Sequence, residues 1–171
     1  MQCATDGCTL PPSGKSKYCA EHKEIARQKW LANVRASGEE KQSRDAKWQA
    51  LWDAAHAAGM AAGNAVTPNP MIVVERANPL DDRSPVVRQY APVMDGVCGF
   101  AWVVVCPGNH SFCHWAKKHQ QARSEYGGGV CVKWVFEFNQ SMTRKEAYAR
   151  AFAQVLREAG IEWAYSNSRM D

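Results

Sequence analysis

Three features of the chain predict an α+β (or α/β) fold. Apolar residues recur at helical spacing in two stretches ahead of residue 66, runs of strand character begin after Pro70, and a long helical stripe follows them near the C-terminus. The architecture expected from these is a Cys/His-rich N-terminal knuckle with amphipathic helices, followed by a small sheet packed with helices. With 171 residues, 46% of them hydrophobic, the chain is long enough for one ordinary core and a small appendage.

The first 23 residues, MQCATDGCTLPPSGKSKYCAEHK, lack hydrophobic periodicity and are too short to form a core unaided. They contain Cys3, Cys8, Cys19 and His22 in the spacing C-x4-C-x10-C-x2-H. Two close pairs of soft ligands around a Pro/Gly/Ser loop suit one tetrahedral zinc ion. Cys3 and Cys8 would come from a turn at Gly7, and Cys19 and His22 from the start of a helix. Four protein ligands leave no open position for water, so the zinc is expected to be structural, supplying the folding energy the segment lacks. The competing reading is four ordinary thiol and imidazole groups in a loose terminus.

Helical character starts at Glu21, with Ile25, Ala26, Trp30, Leu31 and Val34 along one side. Residues 36–45, ASGEEKQSRD, are expected to interrupt it, Gly38 being a break amid charge. A second amphipathic helix carries Trp48, Leu51, Trp52 and Ala55, fades through an Ala/Gly-rich stretch, and ends at TPNP. The organisation read from this is a zinc module with basic helix at 1–35, a linker and Trp-bearing amphipathic helix at 36–66, and an α/β domain at 70–171.

In that last domain MIVVERA reads as a strand, NPLDDRSP as a loop and VVRQYAPV as an edge strand limited by Pro92. The apolar run CGFAWVVVC (98–106) suits a strand buried on both faces. A short helix is expected over 110–123. In VCVKWVFEF (130–138) the alternation puts Val132, Trp134, Phe136 and Phe138 on one face, with Lys133 and Glu137 on the other. Thr143 and Glu146 form a T-x-x-E capping box for the next helix, whose stripe is Tyr148, Ala151, Phe152, Val155, Leu156 and Ala159, and Gly160 stops it. EWAY adds a last short strand.

Charge narrows the function classes. The net charge is +4 with 22% charged residues, a mildly basic chain rather than a nucleic-acid tail or a disordered segment. The excess is local: Lys15, Lys17, Lys23, Arg27, Lys29 and Arg35 lie within 12–35 against only Glu21 and Glu24. No apolar run approaches the roughly 18 residues of a membrane span, and the first residues show no secretory signal. Seven cysteines, an odd number, fit a metal site plus core thiols better than a disulfide framework. A reducing, cytoplasmic location is expected.

The segment CATDGC…KYCAEHK with its basic helix resembles the short Cys/His zinc modules at the front of many phage and actinobacterial proteins. The run QSMTRKEAYARAFAQVLREAGI through SRMD is similar to the tails of small phage proteins to which no activity is attached. Each resemblance covers about 35 residues, one at either end. Together they imply phage origin and structural zinc, hence bacterial host cytoplasm or a virion as the location, and no reaction.

A second ligand set, Cys106, His110, Cys113 and His114, has the spacing C-x3-H-x2-C-H. It could hold another metal, or a thiolate beside an imidazole. The competing reading makes the cysteines core thiols and puts the histidines in a surface turn, and we read the set as structural. YGGG is read as a flexible turn because it precedes a strand, and LDDR as a solvated loop. The pattern of zinc deaminases is absent. Trp102 and Trp134, with Phe136 and Phe138, could form a platform for stacking bases, but strands of this pattern more often place such residues in the core against the C-terminal helix.

No complete catalytic constellation can be assembled, so an enzyme ranks last and no catalytic residue is assigned. The leading expectation is a zinc-stabilised, non-enzymatic binding protein contacting nucleic acid through the basic helix. The alternative is a protein-interaction factor, either a host-takeover or anti-defence protein or a virion component, docking on a host or phage protein through Trp30, Trp48 and Trp52.

Overall fold

The longest element is α1, Ala20–Ala65, a single helix of 46 residues in the computed structural model, which describes residues 2–171. The interruption expected at 36–45 is absent. Gly38 costs a helix about 1 kcal/mol relative to alanine, but the residues after it (Glu39, Glu40, Lys41, Gln42) are good helix formers and carry the backbone through. The helix does not fade in its Ala/Gly-rich stretch either. Gly59 and Gly63 are buried, and a Cβ on Gly59 would lie 2.7 Å from the Tyr148 ring. These glycines allow close approach of another element, which the sequence pattern alone presents as weak helix.

The chain divides into two units, Met1–Lys47 and Trp48–Asp171, with the boundary inside α1. In the first unit, backbone bonds zip the knuckle together: Cys3 N–H donates to Leu10 O, Ala4 N–H to Lys17 O and Ser13 N–H to Tyr18 O. Gly7, at φ +77°, makes the turn that closes with Cys8 N–H on Thr5 O at 3.1 Å.

The second unit is built on a four-stranded antiparallel sheet in the order β4(Arg123–Ser124), β5(Val130–Trp134), β3(Gly99–Val105), β6(Ala164–Met170). A separate two-stranded sheet pairs β1(Val74–Arg76) with β2(Val86–Gln89). The main sheet packs on the second half of α1 together with α2(Ser111–His119) and α3(Met142–Glu158). Ala101, Val103 and Val105 of β3 enter the core with Trp52, Ala55, Phe112, Trp115, Tyr148, Phe152 and Leu156. This architecture is α+β.

β3 is buried on both faces only toward its end, where Val103, Val104 and Val105 are all fully buried. Its alternate residues Phe100 and Trp102 are half-buried, and Trp102 stacks on Trp134 of β5 at 5.1 Å with planes 10° apart. Trp134 is therefore opposite the core, because the register of β3 and β5 shifts between Val103 and Val104. One extra residue in β5 flips every later side chain to the other face. Val130 and Val132 point inward before the bulge. After it Val135 points inward, while Trp134 and Phe136, expected on the same face as Val132, point out.

The other expectations need smaller corrections. α3 begins at Met142 after Ser141, so Thr143 and Glu146 form no capping box, and Glu146 instead accepts from the Ser168 hydroxyl at 2.6 Å. Its buried stripe runs through Lys145, Tyr148, Ala149, Phe152, Ala153 and Leu156. Ala159 is exposed, and Gly160, at φ +91°, ends the helix as expected. The final strand is seven residues, pairing with β3 from Gly99↔Met170 to Val105↔Ala164.

Candidate metal centre

Cys3, Cys8, Cys19 and His22 converge, with all four ligand atoms within 4.8 Å of one another. The knuckle supplies Cys3 and Cys8, Cys19 immediately precedes α1, and His22 sits in its first turn. Cys19 Sγ lies 3.2 Å from His22 Nδ1, Cys3 Sγ 3.5 Å from the same nitrogen, and Cys8 Sγ 3.9 Å from Cys19 Sγ. A tetrahedron with bonds of about 2.3 Å to sulfur and about 2.0 Å to nitrogen has edges of roughly 3.5–3.8 Å. The four atoms already stand near the corners of such a figure.

Backbone amides aim at the sulfurs. Cys19 N–H donates to Cys3 Sγ at 3.3 Å and His22 N–H to Cys19 Sγ at 3.5 Å, the kind of outer contact that fixes thiolate ligands. Burial works against ionisation of Cys3. The Cys19 amide, the Thr5 hydroxyl and amide and the His22 ring outweigh it and bring the thiol down to about 6. For Cys8 the Leu10 amide favours the thiolate, but burial and the neighbouring Cys19 and Cys3 sulfurs push it up. Three thiols this close favour a shared cation once more than one is ionised. The outer partner Thr5, 3.6 Å from Cys3 Sγ, carries no signal in the ligand spacing.

No family model, curated protein or solved structure matches the chain. The site's chemistry is therefore read from its own atoms.

The second Cys/His set does not assemble: among the described residues the N-terminal four are the group brought within metal-holding distance. Helix α2 separates the set. His110 caps it, Nδ1 accepting from Phe112 N–H at 3.2 Å; Cys113 is fully buried, and His114 is exposed. Cys106 Sγ lies 3.9 Å from Tyr165 Oη instead. Burial pushes the Cys113 thiol up to about 11, with Cys106 adding to the rise and Lys117 opposing it, the reverse of what a thiolate nucleophile needs.

The three tryptophans expected to meet a partner also part company. Trp52 is buried against Trp115 and Phe152, and Trp48 packs edge-on to Phe112 at 5.5 Å. Both belong to the second unit's own core. Trp30 is 63% exposed. The six basic residues Lys15, Lys17, Lys23, Arg27, Lys29 and Arg35 are all exposed, and Arg27 meets Glu24 at 3.5 Å. Among the described residues no helix is long and apolar enough to cross a membrane.

Proposed function

We propose that the first unit is a zinc-stapled module that binds nucleic acid through the exposed basic face of α1. Three thiolates and one imidazole form a donor set suited to zinc, and all four corners are protein atoms, so the ion would hold structure rather than activate water. It would fix the entry to α1 and the direction in which the helix projects its charges.

The observation that carries the reading is the arrangement of those charges. Lys23, Arg27, Trp30, Val34 and Lys41 recur at helical spacing along one exposed face, with Lys15 and Lys17 on the adjoining knuckle. Lys29 and Arg35 stand on other sides of the helix. From Lys23 to Lys41 the face runs roughly 27 Å along the axis, long enough to meet several phosphates. Trp30 offers a stacking surface within it. Contacts of this kind position a protein on a backbone and read little sequence.

Salt dependence tests the reading. Retention on DNA and on RNA should fall with log salt at a slope of about −0.9 per phosphate met on duplex DNA, and less on single strands. Changing Lys23, Arg27 and Lys29 together to Gln should reduce that slope by about two, the share of Lys23 and Arg27, because Lys29 stands off the face. A slope unchanged by the triple substitution removes the basic helix from the account.

A further inference from the structure

The second unit contains a cavity of about 550 Å³, within the usual range for a small-molecule site. Neither the metal centre nor the basic helix accounts for it. The cavity opens where the sheet edge is left short: β4 pairs only with Val130 and Cys131, so β5 from Val132 onward has no strand beside it on that side. α1 and the segment after α2 wall the gap, through His56 and through Gln120 and Gln121.

The lining is aromatic and polar, with Arg123 and Lys133 as its cations, and the Glu137 carboxylate stands directly behind it. Arg123 is exposed and stands 5.8 Å from the centre of the Trp134 ring. Lys133 donates to Glu137 Oε1 at 2.8 Å, and the second Glu137 oxygen accepts from the Phe136 N–H at 3.0 Å. Burial opposes ionisation of Glu137, but the Lys133 ammonium outweighs it and holds the carboxyl below its ordinary range. This carboxylate fixes the backbone at Phe136, whose ring is left 76% exposed at the cavity wall. His56 is fixed as well. Its Nδ1 lies 2.5 Å from the hydroxyl of the buried Tyr148, which leaves Nε2 for a ligand.

An aromatic ring held in solvent, two amide side chains and the Arg123 guanidinium around one cavity suit a planar, hydrogen-bonding group that carries negative charge. We propose that this cavity binds a nucleotide unit, the base lying on Phe136 beside the Gln120 and Gln121 amides and the phosphate at Arg123. A duplex hides the faces of its bases, so the unit comes either from a free mononucleotide or from a single strand. The site is separate from the basic helix and does not depend on it.

Calorimetric titration of the full chain with each nucleoside 5′-monophosphate, with inorganic phosphate and with a short single-stranded oligonucleotide tests this. A nucleotide or the oligonucleotide should bind saturably and at least about tenfold more tightly than phosphate. Phe136→Ala should weaken that binding on the order of tenfold, the loss of one base–aromatic stack, with an unchanged melting temperature because the ring is exposed. Arg123→Gln should bring nucleotide and nucleoside to equal affinity. Tight binding of the mononucleotide assigns the site to a soluble ligand; binding of the oligonucleotide alone, lost in Phe136→Ala, assigns it to a strand. Changing Lys23, Arg27 and Lys29 to Gln should leave mononucleotide binding intact, so failure of the helix reading is distinct from failure here. Absence of saturable binding by either probe, or binding that Phe136→Ala leaves unchanged, overturns the proposal.

Discussion

The two units obtain order in different ways. Among the described residues up to Lys47 the buried hydrophobic side chains are Cys3 and Cys19, both of them ligand candidates, whereas from Trp48 onward 21 hydrophobic residues are buried. The second unit is therefore a core in the ordinary sense, stabilised by apolar area removed from water. The first has four ligand atoms where a core would be, and a helix whose residues up to Lys47 are almost all exposed. Where a segment is too short to bury apolar surface, a metal can take over the task of the core. Its removal should then act on that segment alone.

Four perturbations break or sharpen this contrast. The largest is Cys19→Ala, which removes one of the four candidate ligands from a site where a bound zinc would supply on the order of 10 kcal/mol of folding free energy. Bound metal should be lost and amide protection over residues 3–19 should collapse, with hydrogen exchange of the second unit unchanged. Next is the pair Trp52→Ala and Trp30→Ala. The first should cost the second unit about 3–5 kcal/mol by urea titration, because it empties a packed site, and the second less than about 0.5 kcal/mol, because Trp30 is exposed.

Third is alkaline pH. Burial raises the Cys113 and Cys131 thiols to about 11 from the ordinary 9.0, with Glu125 adding to the rise at Cys131. The unfolded chain then loses these protons first, so the stabilisation is complete below pH 9 and is lost as pH rises toward 11. Each thiol contributes at most about 2–3 kcal/mol. The second unit's melting temperature should fall across that window, and Cys113→Ala should remove about half of the slope.

The smallest effect is glycine to alanine, which should differ in sign between the units. Gly38→Ala meets nothing within 4 Å and should stabilise the helix by up to about 1 kcal/mol. Gly59→Ala would press on the Tyr148 ring and should destabilise the second unit by about 1–3 kcal/mol in thermal melts.

Those glycines also show which parts of the structure were legible in the sequence. The ligand set was, because metal geometry constrains residue type and local spacing together. The fold class, the core face of β3, the Tyr148, Phe152 and Leu156 line of α3, and the stop at Gly160 were too, since they depend on local pattern. Gly38, Gly59 and Gly63 look alike in sequence, yet one faces solvent and two face rings from distant segments. The bulge in β5 is nearly hidden: Val135, apolar on the face of Lys133 and Glu137, interrupts the alternation, and only pairing with β3 shows where the register slips. Trp48 and Trp52 pack on the second unit's own core, which the sequence does not show, because an amphipathic stripe does not reveal whether its partner lies in the same chain. Cys106, His110, Cys113 and His114 have ligand spacing, but α2 turns Cys113 inward and His114 outward. The cavity beside β5 draws on residues from 52 to 136, which no local motif joins.

The central claim is that metal takes the place of a core in the first unit. The most direct test measures metal content of the purified chain by native mass spectrometry, with hydrogen exchange before and after chelation. One zinc ion per chain is expected. Chelation should abolish amide protection in the knuckle while residues 48–171 keep theirs, and added zinc should restore it. A chain that binds no zinc even when it is supplied, or a knuckle equally protected after the metal is withdrawn, would contradict the account.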